Sequence, residues 1–373
     1  MTSPYVSWEE IQDHGLWDRL KARHVPVSFD LELTSRCNND CRHCYINVPV
    51  GDRAALAAEL SRAEILEIGR EAAGMGAVWC LLTGGEPLLR PDFPDIYLGL
   101  KRLGLLLSVF TNACLVTPAL VRLFRSYPPR DIEVTVYGAT RETYERVTRR
   151  AGSYGAFLRG LDLLLDGGVR VRLKAMALRS NAHELDAIAA FCRERTKDYY
   201  RFDPLLHMRL DGDAGRNAEI QAERLSPAEI VAVERADEER FVALQSGCAE
   251  NRLVTSDFEH FGCDHLFHCG AGTGSFTVGY DGTFRLCSSL CHPDTTYDLR
   301  RGTLREAWEE WVPHVRDLRG ADPQFLEKCR RCSLINLCLW CPAHAALETG
   351  ALDGWVQYFC DVAHARAAAL AGS

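Results

Sequence analysis

The sequence predicts an α/β protein: an open, partial (β/α)6 barrel followed by a small cysteine-rich domain. Between residues 27 and 203, six short β-rich runs alternate with helical patterns, and such repeats demand a parallel sheet with right-handed crossovers. Six strands are too few to close an eight-stranded barrel. From Cys248 onward cysteine, glycine and aromatic density rise together, as expected of a domain organised by metal instead of a large core.

The strands are expected at 27–33, 77–82, 105–111, 131–136, 170–177 and 200–202, each a short run rich in β-branched or other apolar residues. Helices are expected near 61–73, 92–103, 117–126, 140–149, 154–166 and 182–195. Asn181 and Glu184 read as an N-cap with its partner three residues on. Residues 204–246 read as a connector, with a helix opened by Ser226 and Pro227. The chain then divides into an N-terminal extension (1–26), a barrel domain (27–245) and a cysteine-rich domain (246–373). In such sheets the chemistry gathers at the C-terminal ends of strands, where every motif of the first half falls.

Bulk composition excludes several classes. A length of 373 residues, 47% apolar and 25% charged, is that of an ordinary globular protein with two or three domains. A net charge of −8 argues against nucleic acid and against anionic membrane surfaces. No stretch approaches the ~20 apolar residues of a membrane span. The charged first 23 residues do not read as a signal peptide. Sixteen cysteines without an export signal point to metal or redox chemistry in a reducing compartment, so the expected location is the cytoplasm.

Eleven of those cysteines form two spaced constellations. The first is Cys37-Asn-Asn-Asp-Cys41-Arg-His-Cys44, directly after the first strand. Thiolates are soft ligands suited to iron–sulfur clusters or zinc. Zinc sites usually pair two C-x2–4-C knuckles, which this isolated trio does not offer. Three thiolates serve only three irons of a four-iron cubane and leave one open to a substrate or cofactor. The second constellation is Cys263-x5-Cys269-x12-Gly282-x4-Cys287, then Cys329-x2-Cys332-x5-Cys338-x2-Cys341, then Cys360. Its 329–341 run also fits a zinc knuckle. Thr83-Gly84-Gly85-Glu86-Pro87 follows the second strand; alone it reads equally as a strand-to-helix turn.

On these motifs the sequence resembles the radical S-adenosylmethionine (SAM) superfamily, and within it the members with a C-terminal SPASM extension, over residues 27–365. The resemblance implies a TIM-like partial barrel, three [4Fe–4S] clusters and SAM. The open iron of the Cys37, Cys41 and Cys44 cluster would bind the amino and carboxylate groups of SAM. An electron then cleaves SAM to methionine and a 5′-deoxyadenosyl radical that takes hydrogen from the substrate. It further implies SAM contacts at His43, Gly84, Gly85 and Glu86, the last at the methionine ammonium. Asn112 matches a ribose contact, though it reads equally as a cap. Thr135 matches a position near the SAM carboxylate, as does one of Arg146, Arg149 and Arg150, with Arg149 the choice. Cys263, Cys269, Cys287 and Cys341 would ligate a first auxiliary cluster; Cys329, Cys332, Cys338 and Cys360 a second. The family more often has C-x3-C where this chain has Cys338-x2-Cys341, which bears on the division of those two residues.

Outside the motifs, Cys80 and Cys192 read as inert core residues. Cys291 stands close behind Cys287, where a thiol can donate hydrogen, although an unused loop thiol fits as well. The segment from Asp203 to Asp211 is the place to look for a general base, with Asp203 first. The leading expectation is a radical SAM enzyme that modifies a peptide or protein side chain by crosslinking or oxidation. A small-molecule dehydrogenase or epimerase is the alternative within the superfamily, and a non-catalytic metal-binding protein the alternative outside it. Only 36 residues precede Cys37, so a leader peptide is expected to need a separate recognition protein or direct docking. Ferredoxin or flavodoxin is the expected electron donor. Ser288 after Cys287, where sulfatase-maturing relatives carry Asp, disfavours that activity.

Overall fold

The computed structural model describes residues 24–371 except 199, 243, 244, 246–263, 335, 336 and 339. A nine-stranded sheet is its backbone. The barrel part runs β1 (Ser28–Thr34), α1 (Arg62–Met75), β2 (Trp79–Gly84), α2 (Phe93–Arg102), β3 (Leu106–Thr111), α3 (Pro118–Ser126) and β4 (Asp131–Val136). It continues with α4 (Arg141–Thr148), α5 (Ser153–Asp166), β5 (Val171–Met176), α6 (Leu185–Arg195) and β6 (Arg201–Asp203). Strands β1 to β6 pair in chain order, every pair parallel. The six expected strands are all present, each within two residues of its expected bounds.

Residue alternation decides which way each strand faces. Phe29, Leu31 and Leu33 of β1, Ile132, Val134 and Val136 of β4, and Leu173 and Ala175 of β5 are buried in the core. Asp30, Glu133, Thr135 and Lys174 alternate with them and point into the barrel lumen. Helix starts are fixed by caps: Ser61 and Glu64 form a capping box on α1, and Thr117 caps α3 with Pro118 at its first position.

The Asn181–Glu184 pair does not cap its own helix. Asn181 accepts from Leu178 N and donates to Tyr137 O and Met176 O, so it stitches β4 to β5. Glu184 accepts from Ala139 N, Thr140 N and the hydroxyls of Thr140 and Thr143, and therefore caps the N-terminus of α4. The long-range donors outcompete the local ones because α4 starts directly beside that loop.

After β6 come α7 (Ala214–Glu223) and α8 (Pro227–Ala236), the latter opened by a Ser226–Glu229 capping box as the sequence suggests. The cysteine-rich part joins the same sheet. β7 (Ser275–Val278) lies parallel to β1, β8 (Thr283–Arg285) returns antiparallel, and β9 (Tyr297–Asp298) ends that edge. Two last helices follow, α9 (Pro342–Thr349) and α10 (Gln357–Ala371). α10 packs on α8, where Arg366 donates to both carboxylate oxygens of buried Glu234 at 3.0 and 2.6 Å. Among the described residues no helix is long and apolar enough to cross a membrane.

Candidate active site

The loop after β1 carries Cys37, Cys41 and Cys44, and the rest of the barrel holds it from several sides. Asp40 N donates to Thr148 O at 2.9 Å and Arg42 N to Val147 O at 3.1 Å, both beyond β4. Leu210 N, beyond β6, donates to Tyr45 O at 3.0 Å. At the loop's root, Arg36 donates to Glu59 at 2.8 and 3.2 Å, and Arg90 reaches Leu33 O and Leu60 O at 3.1 and 2.9 Å. All three side chains are less than a tenth exposed.

The Gly84–Gly85 pair has a sharper role than open approach to a ligand. A Cβ on Gly84, at φ +118°, would meet Thr34 O at 2.3 Å, and one on Gly85 would meet Arg36 O at 2.4 Å. Gly85 N and Glu86 N instead donate to those two carbonyls at 2.6 and 3.0 Å. The glycines let the β2 loop lie backbone to backbone on the cysteine loop. Glu86 turns away from the lumen, contrary to the expected ammonium contact. It is fully buried and accepts from Leu88 N at 3.1 Å, Thr111 Oγ1 at 2.8 Å and Asn112 N at 2.8 Å. Burial pushes its carboxyl up to about 7 against those three bonds. Asn112 then donates to Asn38 Oδ1 at 2.8 Å and approaches Cys37 Sγ at 3.7 Å.

A cavity of about 320 Å³ opens at this end of the barrel. Cys37, Cys41, His43, Cys44, Gly84, Gly85, Asn112, Thr135 and Asp203 all line it. Three expected residues do not: Glu86, Arg149 and Cys291. Arg149, in the left-handed conformation at φ +53°, pairs with Asp40 at 3.5 Å and Glu219 at 2.6 Å on the outer side of the loop. Arg146 pairs with Glu142, and Arg150 donates to Asn38 O, so the loop's acceptors and nearby carboxylates take all three arginines. The Cys291 thiol points at Leu210 O, 3.6 Å away, near Arg285 and Cys287. His43 stays neutral, because burial and the Arg216 charge push its imidazole down to about 4. Its ring lies 5.2 Å from that of Tyr137.

Residues that sequence reasoning missed complete the lumen, Asp30, Phe110, Glu133 and Lys174, beside His207 of the 203–211 segment expected to face the substrate. Lys174 pairs with Glu133 and stands over the Phe110 ring, 4.1 Å from its centre. His207 Nδ1 meets Ser289 Oγ at 2.8 Å, and its ring packs edge-on to His344 at 4.4 Å. A signal for most of them was available. Fully buried parallel strands read as continuous apolar runs, so charges that interrupt β1, β4 and β5 mark a polar lumen.

The sulfurs test whether thiolate-held clusters fit. Burial raises the pKa of Cys37, Cys41 and Cys44, and nearby negative charge adds to it at Cys37 (Glu86, then Cys44) and at Cys41 (Cys44 and Cys37), so the protein alone disfavours three thiolates there. Yet donors are in place: Asn39 N reaches Cys37 Sγ at 3.4 Å, and the amides of Ile46 and Asn47 face Cys44. Among the described residues, Nδ1 of His43 is buried with no hydrogen-bond partner. The same N–H to sulfur pattern recurs at Cys287 from Ser289 and Leu290, at Cys332 from Leu334 at 3.4 Å, at Cys338 from Trp340, and at Cys341 from His344 at 3.4 Å. Cys80 and Cys192 are buried too, and among the described residues no amide is offered to either sulfur. The first group is dressed as ligands and the second as core.

The C-terminal cysteines fall into two electrostatic neighbourhoods. Cys341 senses Cys287 and Cys269, while Cys329 senses Cys338, Cys360 and Cys332. The last four line one apolar cavity of about 220 Å³ with Phe325, Trp340 and Trp355. Cys263 lies outside the described residues. The donors aimed at Cys37 and Cys44 fit a thiolate-held group in the loop after β1, while among the described residues no three such side chains are already drawn together as a metal site.

Comparison with known proteins agrees with this geometry. Residues 31–192 match the radical SAM superfamily. The AdoMet-dependent heme synthase of Methanosarcina barkeri is 27% identical over 88% of this chain and 94% of that protein. The PqqA peptide cyclase of Ruegeria pomeroyi is 26% identical over 84% of this chain and 81% of that one. Among solved structures, Streptococcus suis SuiB bound to S-adenosylmethionine superposes with a TM-score of 0.67 at 15% identity, covering 95% of this chain and 83% of SuiB.

Proposed function

We propose, for a chain that belongs to the radical SAM superfamily and ends in a SPASM-type domain, that it modifies a peptide or protein side chain by crosslinking or oxidation. Cys37, Cys41 and Cys44 would hold the SAM-binding [4Fe–4S] cluster, with His43, Gly84, Gly85, Asn112 and Thr135 around SAM. Cys263, Cys269, Cys287 and Cys341 would hold one auxiliary cluster, and Cys329, Cys332, Cys338 and Cys360 the other. When bound, the first cluster and SAM supply a 5′-deoxyadenosyl radical that takes hydrogen from the substrate.

The chain's own residues shape what can be placed there. The lumen keeps the substrate group among Phe110, Leu81 and Met176 and away from water. Lys174 is anchored by Glu133 and presents one cation. Asp203, at the cavity end of β6, accepts only from Leu205 N at 3.2 Å among the described bonds, and is the carboxylate placed to hold or take a substrate proton.

The observation that carries the peptide reading is the lumen's charge. Among the side chains that line it, three are acidic (Asp30, Glu133 and Asp203) and one is a cation (Lys174), while His43 and His207 are kept neutral by burial. Arg201 joins Glu133 at 3.4 Å and Arg285 acts on Asp30, both from outside the lining. Such a lumen accepts a neutral or cationic side chain and repels a ligand with several carboxylates. The heme synthase likeness supports the other reading, a small molecule, and a propionate-bearing porphyrin is what this lumen opposes. A separate recognition protein and a ferredoxin or flavodoxin donor complete the proposal.

The test is anaerobic reconstitution with iron, sulfide, dithionite and SAM, followed by a library of short peptides or an iron porphyrin bearing propionates. The wild type should hold about twelve irons, and the triple Cys37/Cys41/Cys44→Ala variant about eight with no SAM cleavage, at four irons per cubane. A mass-shifted peptide is expected. A porphyrin product with no peptide product would overturn the substrate class, and 5′-deoxyadenosine from the triple variant would overturn the site.

A further inference from the structure

The stretch after β6 reads from the sequence as a connector, yet two of its arginines close over the cysteine loop. Arg209 is 4% exposed at its side chain and donates through Nη1 to Cys44 O at 3.3 Å, Asn47 O at 3.1 Å and Asn47 Oδ1 at 3.2 Å. Arg216, at the start of α7, donates through Nη2 to Cys41 O at 3.1 Å and Asn47 Oδ1 at 3.4 Å. Their counter-ions are the more exposed partners, although Asp40 belongs to the cysteine loop itself. Arg209 Nε meets Asp211 at 2.8 Å, and Asp211 is half exposed. Arg216 pairs with Asp40 at 2.9 Å and Glu219 at 3.2 Å, exposed by 56% and 37%. Water screens those carboxylates far better than it screens a guanidinium buried against the loop. The field at Cys44 is therefore positive.

On the reading that Cys37, Cys41 and Cys44 hold the SAM-binding cluster, we propose that Arg209 and Arg216 form an electropositive bracket that eases that cluster's reduction. Adding an electron makes a thiolate-held cluster more negative, and a fixed cation within its ligand shell stabilises the reduced state more than the oxidised one. The two arginines also fix the carbonyls of Cys41 and Cys44, so the bracket is placed by the same bonds that shape the loop. They are positioning residues: each acts through the cysteine loop and neither lines the cavity.

The experiment is a redox titration of the reconstituted full-length enzyme followed by electron paramagnetic resonance. The catalytic cluster is identified as the signal that changes on adding SAM, which closed clusters cannot do. Arg209→Gln and Arg216→Gln keep donors to the carbonyls and remove the charge; each should lower the midpoint potential of the SAM-responsive signal. Arg209→Lys and Arg216→Lys keep the charge and should stay nearer the wild type than the Gln variants. Should Arg209→Gln not fold, the half-buried Arg216 pair gives the same comparison. Unmoved potentials, or Lys variants that shift as far as Gln variants, would overturn the bracket. A wild-type protein with no SAM-responsive signal would overturn the cluster assignment instead, so the two failures are distinct.

Discussion

The two ends of this protein hold cysteines in opposite ways. Around Cys37–Cys44 the fold supplies the shape: backbone bonds arrive from residues 147, 148 and 210, side-chain donors from Asn112 and Arg150, and a buried Arg36–Glu59–Arg90 group fixes the root. Around Cys329–Cys360 the cysteines are themselves much of the wall, with Phe325, Trp340 and Trp355 filling the rest. Among the described residues Trp340 Nε1 donates to Gly354 O at 2.8 Å and Arg366 Nη1 to Leu337 O at 3.2 Å within this part, and Tyr358 Oη to Leu225 O at 2.9 Å and Arg366 to Glu234 tie it to α8 and the turn before it. One site is made by the protein and waits for its cluster. On the proposed reading the other would depend on its cluster to be a site, because metal binding that completes a core is folding free energy.

That contrast predicts the largest effect. Protein prepared without iron should lose amide protection across residues 325–364 while the barrel strands and the 37–47 loop keep theirs. Cys338→Ala should do the same in the presence of iron. Hydrogen exchange read by mass spectrometry separates the segments directly. Equal loss in both regions would remove the distinction, and protection retained in both would show that the C-terminal part folds without metal.

The second prediction strikes the site that the protein makes. Glu59 accepts from Arg36 and from the Thr34 hydroxyl and pairs with Arg90 at 3.6 Å, with its side chain 7% exposed. Glu59→Ala leaves the buried Arg36 guanidinium without its carboxylate, while Arg90 keeps Asp92 at 2.8 Å. Breaking a buried pair in this way costs about 3–5 kcal/mol. The loss should appear in denaturant unfolding and in weaker iron retention at Cys37, Cys41 and Cys44, with the Cys329–Cys360 set unaffected. A loss below about 1 kcal/mol would show that water reaches the group and that the loop's root is not fixed by charge.

The same contrast explains what the sequence makes legible. Six strands and their helices could be read because each is a local pattern, and cysteine spacing could be read because clusters constrain it. Ser226 and Glu229 could be read because the cap is local. Glu184, Glu86 and Arg149 could not. Their expected partners were nearby in sequence or in a ligand, and each found better ones 40 residues or more away in chain (Thr140 and Thr143 for Glu184, Glu219 for Arg149) or on the adjoining strand end (Thr111 and Asn112 for Glu86). Lumen polarity lay in between: the charges within β1, β4 and β5 were visible, but only the sheet's curvature brings Asp30, Glu133 and Asp203 into one cavity.

Glu86 gives the smallest predicted effect and the finest test of the comparison, since it decides whether the Gly84-Gly85-Glu86-Pro87 motif acts on a ligand or on the loop. Its carboxyl is held at about 7 in the fold against 4.5 as its ordinary value, so the folded protein binds the proton more tightly than the unfolded chain. Stability from this group is therefore fully present below pH 4.5 and is lost as pH rises to about 7. Gln at this position has no proton to lose and removes that slope. It also puts an amide nitrogen where one oxygen accepted, facing either Asn112 N or the Thr111 hydroxyl, and only the hydroxyl can rotate to accept from it. Keeping one acceptor for Asn112 N and Leu88 N together strains the arrangement by about 1 kcal/mol. Glu86→Gln should thus be less stable than the wild type at pH 5, by roughly 1 kcal/mol, and the gap should close and reverse by pH 8, because the wild type loses more than that as the carboxyl ionises. SAM affinity should change by less than about tenfold, because a carboxylate spent on Leu88, Thr111 and Asn112 has no oxygen aimed at the lumen. Thermal unfolding at the two pH values and SAM titration of the reconstituted enzyme read both quantities. If stability is flat and affinity falls by a hundredfold, Glu86 turns outward to the ammonium when SAM is bound, and the loop is shaped by its ligand after all.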